Sequence, residues 1–323
     1  MSRARARWFR FAEPHGTIRS VRRRNPFERG GAAGRRTVVE VRRARTRRRP
    51  CARGAHRMRI DVWYMTTGDA PDGIRLDGLR AILDAGELEH ERRYRLERLR
   101  KQHVVTRALV RSALERLTGD AAESFRFVVG PYGKPRLVDE DRYPWRFSLS
   151  HADGAVLCAV ADRIDLGADL ERLDRRVNLD IAERYFTKRE IAQIHAAPEA
   201  DRPRRFLDFW TLKEAFLKAM GTGLATPLSR FTFGIDSPPP DRADPQCPPI
   251  APRLEWVAPE LGTAAEWRCR SFTIDGDYVG AVVARAPDAS EIELTIRSCR
   301  PIGDRILPSD TSAPLPTKAH RSE

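Results

Sequence analysis

The chain has 323 residues, 41% of them hydrophobic, which is enough for one large domain or two fused small ones with a sizeable core. It contains no run of about 18 or more apolar residues, as a membrane span needs, and its arginine-rich start lacks the apolar segment of a secretory signal. Residues 1–57 hold 19 Arg and 3 Glu and carry a charge of +16, which leaves residues 58–323 at −2 although the whole chain carries +14.

The five cysteines are scattered and form no CxxC pair. This pattern argues against a disulfide scaffold and a zinc ribbon, and it predicts a reducing, cytoplasmic environment.

Residues 1–57 show no sustained helical or strand periodicity and contain runs of three arginines. Such a segment buries too little apolar surface to offset the entropy of ordering it, so we expect it to be disordered. Patterning typical of a folded protein begins just after Met58, with a strand through Ile60, Val62 and Tyr64. Met58 is therefore a candidate initiator, a hypothesis that N-terminal mass spectrometry of the native protein would test.

Helices and short strands alternate in the next hundred residues. Helices are expected over Leu76–Ala85 and Glu87–Leu117, the second broken near Arg100-Lys101 and ended by Gly119. The strands expected after them are Phe125–Val129, Pro135–Val138, Arg146–Ser150 and Ala155–Ala161.

A second series of the same kind begins with a strand over Ile164–Glu171. The helices expected after it are Asp180–Tyr185, Lys188–His195 and Pro203–Met220, the last capped by Asp201 and ended by Gly221. The strands are Arg230–Ile235, Leu254–Val257, Glu266–Ile274 and Tyr278–Arg285, the last two joined by an Asp275-Gly276 hairpin turn. A proline-rich surface loop is expected over Ser237–Arg253, and a disordered tail after about Arg297.

Helices followed by antiparallel strands, occurring twice, predict an α+β fold of two similar halves. The predicted organisation is a disordered extension over 1–57, halves over 58–164 and 165–298, and a disordered tail over 299–323.

Asp169 and Glu171 flank Leu170 on a predicted strand, so period-two alternation places both carboxylates on one face. Taken alone, the pair has two interpretations, a solvated edge pair or ligands of a hard divalent cation such as magnesium.

Glu214 and Lys218 lie four residues apart on the long helix and share a face, which favours an ordinary surface ion pair when that helix is considered alone. Lys134 in a Gly-Lys-Pro turn and His151 at a strand end also have structural interpretations. Together, however, these cations and carboxylates are what a site for a magnesium-complexed diphosphate requires.

Five segments in this order resemble the Sfp-type (surfactin-synthetase-activating) 4′-phosphopantetheinyl transferases. They are Gly-Lys-Pro at 133–135, Ser-x-Ser-His at 148–151, Gly-x-Asp-x-Glu at 167–171, Phe-Thr-x-x-Glu at 186–190 and Trp-x-x-Lys-Glu-Ala-x-x-Lys at 210–218. The resemblance covers about residues 58–297. It implies a pseudo-twofold pair of α+β halves in one chain, with coenzyme A in the cleft between them, and a monomer.

The resemblance also implies roles for individual residues. Asp169, Glu171 and Glu214 would hold Mg²⁺, with Glu214 also acting as general base, directly or through water. Lys218 would contact the phosphate and stabilise the leaving group. The residues expected to bind coenzyme A are Lys134, Ser150, His151, the supporting Lys213 and, for the 3′-phosphate, Arg93, Lys101 and Arg107. Glu190 matches a carboxylate near the metal site, and Gln102 stands where an arginine is common.

The implied activity is Mg²⁺-dependent transfer of the phosphopantetheine arm from coenzyme A to a serine of an apo acyl or peptidyl carrier protein, releasing 3′,5′-ADP. No nucleic-acid or membrane partner is expected. Two alternatives remain open, namely a nucleic-acid-binding protein acting through the basic arm and an inactive member of the same fold. The first leaves the near-neutral residues 58–323 and their carboxylate cluster unexplained.

Overall fold

The computed structural model describes residues 57–67, 76–236, 248–286 and 290–309. The predicted disordered extension up to residue 56, the proline-rich stretch 237–247 and the tail from residue 310 lie outside the described residues.

The first half of the described chain contains β1 (Arg57–Thr66), α1 (Leu76–Ala81), α2 (Ala85–Arg93), α3 (Glu97–Thr118), β2 (Phe127–Val129), β3 (Pro135–Leu137), β4 (Trp145–Ala152) and β5 (Ala155–Asp162). The second contains β6 (Leu166–Arg172), α4 (Asp180–Tyr185), α5 (Lys188–Ala196), α6 (Arg202–Met220), β7 (Phe231–Gly234), β8 (Arg253–Val257), β9 (Trp267–Ile274) and β10 (Tyr278–Arg285). Two further strands follow, β11 (Glu291–Ile302) and β12 (Arg305–Pro308).

The two halves repeat one topology. In the first, β1 pairs antiparallel with β5, and β5 with β4; in the second, β6 pairs antiparallel with β10, and β10 with β9. The order of elements along the chain is also the same in both halves. The first strand is followed by a long helix, then by a two-stranded hairpin (β2–β3 or β7–β8), and then by the last two strands of the sheet. This repeat confirms the predicted α+β fold of two similar halves.

The sheets of the two halves face each other, and the long helices cover their outer sides. Ile60 and Val62 of β1 pack with Leu170 of β6 in an apolar layer between the sheets. Trp63, on the opposite face of β1, packs with α3 in the core of the first half. A third cluster joins α6 to β7, β9 and β10. Strands buried on both faces explain the continuous apolar character of β1 and β10.

At one edge, strand β4 lies beside β6, and two serines join the strands. The Oγ atom of Ser148 accepts a hydrogen bond from the Ala168 amide at 2.9 Å, and the Oγ of Ser150 accepts one from the Leu170 amide at 3.2 Å. Both hydroxyls are buried. They satisfy backbone donors that a buried strand edge would otherwise leave unpaired.

Two tyrosines tie the turn of each half to the sheet of the other. The Tyr64 hydroxyl donates to Asp275 at 2.9 Å, in the β9–β10 turn, and the Tyr278 hydroxyl donates to the Asp153 carbonyl at 3.0 Å, in the β4–β5 turn. The predicted Asp275-Gly276 turn is confirmed, since both residues have positive φ, as a tight type I′ turn requires.

The predicted disordered tail from residue 299 is wrong for residues 299–308. Strand β11 pairs in parallel with β1, from Arg57 opposite Glu291 to Tyr64 opposite Ser298, and β12 pairs antiparallel with β11. The segment therefore completes the five-stranded sheet of the first half instead of ending the second. The alternation of Ile292, Leu294 and Ile296, which pack in or against the layer between the sheets, is the sequence signal for this strand.

Two local predictions about the helices also need correction. The break before α3 lies at residues 94–96, not at Arg100-Lys101, because Tyr94 and Leu96 adopt extended backbone conformations. Asp201 precedes α6 but makes no side-chain capping hydrogen bond. The predicted stops at Gly119 and Gly221 are confirmed, since both glycines take the left-handed conformation.

None of the helices in the described ranges is long and apolar enough to cross a membrane.

Helix α6 crosses β6 directly above Gly167. A Cβ atom at Gly167 would collide with the carbonyl oxygen of Ala215 and the amide nitrogen of Ala219, and would lie 2.8 Å from the Cβ of Lys218. Backbone atoms cannot move aside as a flexible side chain can. The contact therefore requires glycine at this position of the Gly-x-Asp-x-Glu segment.

We expect Gly167→Ala to lower the free energy of unfolding by at least about 2 kcal/mol, because the inserted methyl group forces α6 away from β6. Urea denaturation followed by circular dichroism measures the loss. Gly130→Ala is the control, because its Cβ would lie 3.4 Å from the Lys134 carbonyl oxygen and should change stability by less than about 1 kcal/mol. Equal effects of the two substitutions would contradict the packing argument.

Candidate active site

A cleft opens where the two halves meet, and both contribute to its walls. The β2–β3 hairpin and β4 form one side, and β6 and α6 form the other. The residues lining the cleft are Gly133, Lys134, Pro135, Ser148, Leu149, Ser150, His151, Asp169, Glu214 and Lys218. Six of the predicted site residues are therefore brought together: Lys134, Ser150, His151, Asp169, Glu214 and Lys218.

Strand β6 positions the carboxylate pair as period-two alternation predicts. Leu170 packs in the layer between the sheets, while Gly167 on the opposite face contacts α6. Asp169 and Glu171, which share the parity of Gly167, are both almost fully buried. Burial of two neighbouring carboxylates is costly unless each has a cation or donors nearby.

Asp169 is held from both halves. Its Oδ1 accepts hydrogen bonds from the Ser150 hydroxyl and from the Lys218 ammonium, both at 2.7 Å. Its Oδ2 is buried and has no hydrogen-bond partner in the structure. This oxygen is therefore able to accept a ligand from the cleft.

Glu171 does not line the cleft; its Oε2 accepts from Arg175 at 2.6 Å. Arg175 lies in the loop after β6 and is partly exposed, whereas Glu171 is buried. The second carboxylate of the strand therefore has a cationic partner of its own.

Helix α6 presents Glu214 and Lys218 one turn apart on the side that faces β6. Glu214 lines the cleft and is mostly buried, and the Lys218 side chain reaches Asp169. The shared face that the i, i+4 spacing predicts is thus turned into the cleft, not toward solvent.

Lys134 connects the hairpin of the first half to the second half. Its Nζ donates to the Leu166 carbonyl at 3.1 Å and to the Ala219 carbonyl at 3.2 Å. An ammonium has three hydrogens, so one remains for an anion in the cleft. Burial lowers the pKa of Lys134 to about 8. The charge of Asp165 acts to raise this pKa, and the charge of Arg146 acts to lower it further.

The donor set of the cleft fits a hard divalent cation in part. Asp169 and Glu214 supply carboxylates to one cavity, and the unpartnered Oδ2 of Asp169 is an oxygen ligand of the kind magnesium prefers. Within the described ranges, however, no three His, Cys, Asp or Glu side chains are grouped so as to hold a metal ion. The predicted convergence of Asp169, Glu171 and Glu214 stays a prediction for the loaded state.

Lys213 and Glu190 lie outside the cleft lining, and both are fully buried in the core of the second half. They form an ion pair at 2.8 Å, and Lys213 also donates to the carbonyls of Leu228 and Phe231. Glu190 accepts from the Phe233 amide and closes the capping box of α5. In this structure both side chains stabilise the core, and the supporting role of Lys213 toward coenzyme A stays a prediction.

The three basic residues assigned to the 3′-phosphate lie outside the cleft lining. Arg93 is 3.8 Å from Glu89 on α2, and Arg107 is buried 3.7 Å from Glu87. Lys101 is half-buried on α3. Their assignment to coenzyme A stays a prediction. Gln102, which stands where an arginine is common in the family, donates to the Ala152 carbonyl at 2.8 Å and so fixes the end of β4 to α3.

Three residues of the site had no role assigned from the sequence. Ser148 and Gly167 lie inside two of the five segments that resemble the transferase family. Ser148 bridges β4 to β6, and Gly167 allows α6 to pack closely on β6. Both functions depend on tertiary contacts that the segments alone do not show. Arg175 has no local signal beyond its spacing of four residues from Glu171.

The chain is similar to proteins of one family. A family model described as the 4′-phosphopantetheinyl transferase superfamily matches residues 165–283, which include Asp169, Glu171 and Glu214. The chain is 33% identical over 168 residues to the 4′-phosphopantetheinyl transferase HetI of Nostoc sp., covering 51% of this chain and 70% of that protein. It is 34% identical over 128 residues to the 4′-phosphopantetheinyl transferase Sfp of Bacillus subtilis, covering 39% of this chain and 55% of that protein.

Proposed function

The chain belongs to the 4′-phosphopantetheinyl transferase superfamily, and from this premise we propose that it transfers the phosphopantetheine arm of coenzyme A to a serine of an apo carrier protein. The observation that carries the proposal is the composition of the cleft. Two lysines, Lys134 and Lys218, lie in one cavity with the carboxylates of Asp169 and Glu214. The lysines suit a diphosphate, and the carboxylates suit a divalent cation and an incoming hydroxyl.

In the proposed reaction, the serine oxygen forms a bond to the phosphorus that bears the pantetheine arm. The bond from that phosphorus to the bridging oxygen breaks, and 3′,5′-ADP leaves with the electron pair. The serine proton passes to Glu214 or to a water beside it. In this reaction Lys218 would neutralise charge on the leaving phosphate, and Lys134 would orient the diphosphate. Displacement at phosphorus needs such positioning and charge stabilisation more than covalent catalysis.

Asp169 and Glu214, with Glu171 once Arg175 releases it, are the residues proposed to hold magnesium. When bound, the ion would neutralise the diphosphate and polarise the phosphorus. Ser150 positions Asp169 for this role through its 2.7 Å hydrogen bond.

The proposal is tested by incubating the full chain with coenzyme A, Mg²⁺ and a panel of apo carrier proteins, and measuring each carrier by mass spectrometry. The expected result is the gain of one phosphopantetheine group on at least one carrier, lost when Mg²⁺ is chelated. Relative kcat/KM across fatty-acid, polyketide and peptide carriers would identify the physiological class. If every carrier in the panel stayed unmodified, the proposed activity would be wrong.

Coenzyme A binding should weaken as pH rises through about 8, because Lys134 loses its proton there instead of near 10.5. The charged form is present below this pKa and binds the diphosphate more strongly, so the affinity should fall by up to about tenfold per pH unit above it. Calorimetric titration of coenzyme A between about pH 7 and pH 9.5 measures the slope. Lys134→Arg keeps its charge over this range and should bind with little pH dependence. Equal slopes for the two proteins would contradict the assignment.

A further inference from the structure

Asp169 and Glu171, the two carboxylates of the Gly-x-Asp-x-Glu segment on β6, are each paired with a basic side chain of this chain. Lys218 contacts Asp169 at 2.7 Å, with side chains 13% and 4% exposed, and Arg175 contacts Glu171 at 2.6 Å. Two of the three residues proposed to bind magnesium, Asp169 and Glu171, therefore already have their charges compensated by side chains of this chain.

Lys218 and a divalent cation would compete for Asp169. The Oδ1 atom of Asp169 accepts from both Ser150 and Lys218, which leaves Oδ2 for another ligand. An ion at Oδ2 would lie close to the ammonium of Lys218 in a largely buried cleft, where repulsion between like charges is only weakly screened. A metal would bind tightly only when Lys218 moves away from the carboxylate.

An anion in the cleft can remove this obstacle. Lys218 carries its ammonium on a flexible four-carbon chain and lines the same cavity as Lys134. A diphosphate placed there offers Lys218 another negative partner and leaves Asp169 with uncompensated charge. The two negative groups can then share the positive charge of the lysine and the metal.

We infer that Lys218, by pairing with Asp169, disfavours metal binding at this carboxylate until an anion draws the lysine away, and that it thereby couples metal binding to binding of the anionic co-substrate. The inference rests on the proposed function, since the anion is taken to be the diphosphate of coenzyme A. Lys218 thereby acts before the reaction as well as during it, by disfavouring metal in a cleft that holds no co-substrate.

The test measures Mn²⁺ binding to the full chain by electron paramagnetic resonance, without coenzyme A. We expect Lys218→Met to increase Mn²⁺ affinity at least about tenfold, because it removes a cation in direct contact with the carboxylate. The matched control is Lys134→Met, which removes another cleft lysine whose hydrogen bonds go to the carbonyls of Leu166 and Ala219, and it should change the affinity less than about threefold. No increase for Lys218→Met, or equal increases for both variants, would overturn the inference.

Coenzyme A then provides the second measurement. It should increase Mn²⁺ affinity for the wild-type chain more than for Lys218→Met, since the variant has no lysine to displace. Equal increases would overturn the coupling. Lys218→Gln, which keeps a hydrogen-bond donor without the charge, supports the same comparison if the Met variant folds poorly. The metal-binding measurement contains no carrier protein. If every carrier stayed unmodified in the mass assay, the proposed function would be wrong while the metal-binding result remained valid. Conversely, a failed metal-binding test would overturn this inference without rejecting the transfer activity.

Discussion

Asp169→Asn is expected to reduce phosphopantetheine transfer by about 10²–10³-fold, the loss seen when one preorganised electrostatic contact to the reacting group is removed. Asparagine keeps the shape of the side chain and an oxygen that can accept from Ser150 and Lys218. It removes the negative charge on the carboxylate whose Oδ2 lies buried without a partner. The substitution therefore tests the charge of Asp169 separately from its packing.

The measurement is kcat for carrier modification at saturating coenzyme A, together with the melting temperature of the variant. Asp162→Asn is a suitable control, because Asp162 is exposed at the end of β5 and lies 4.0 Å from Arg163. It should leave kcat within about twofold, as expected for an exposed ion pair of small energetic effect. If Asp169→Asn kept near-normal turnover, Asp169 would have no part in metal or phosphate binding.

Lys213→Met is expected to lower the free energy of unfolding by about 3–5 kcal/mol, the cost of leaving one partner of a buried ion pair without the other. The substitution leaves Glu190 without its cationic partner at a position with no solvent exposure. It also removes the donor to the Leu228 and Phe231 carbonyls. Methionine fills a similar volume, so the loss reports charge and hydrogen bonding more than a cavity.

Chemical denaturation of Lys213→Met, compared with Lys188→Met, measures this effect. Lys188 is exposed at the start of α5, and its substitution should change stability by no more than about 0.5 kcal/mol. The double variant Lys213→Met with Glu190→Gln should be less destabilised than the sum of the two single changes, because the neutral pair leaves no buried charge. A loss near that of Lys188→Met would show that the pair does not stabilise the core.

Much of the fold follows from local patterns in the sequence. The face shared by Asp169 and Glu171 was predictable because the backbone sets the alternation of side chains along a strand. The ends of α3 and α6 at Gly119 and Gly221 were predictable because few other residues adopt the left-handed conformation at low cost. The repeat of helices and antiparallel strands predicted the two similar halves. Residues of the cleft were predicted through five short segments that each allowed a purely structural interpretation.

Contacts between distant residues account for what the sequence did not predict. Helix α6 is buried around almost its whole circumference, so spacing alone could not show that Lys218 faces the cleft while Lys213 faces the core. The pairing of β11 with β1 joins residues more than 230 positions apart, and no local pattern identifies the partner of a strand. The cations that hold Asp169 and Glu171 likewise depend on tertiary placement.

The parallel pairing of β1 with β11 has a consequence for the order of folding during synthesis. Helix α6 and the sheet of β6, β10 and β9 lie close together in the sequence and can assemble as soon as they leave the ribosome, whereas β1 completes its pairing only with β11, the last long strand to emerge. Until then the parallel edge of β1 is a template for other chains. Contacts between residues so far apart in the sequence form slowly. We therefore expect the nascent first half to depend on chaperones more than the second half does. We also expect ribosome-arrested chains that stop before residue 291 to be protease-sensitive between residues 57 and 162.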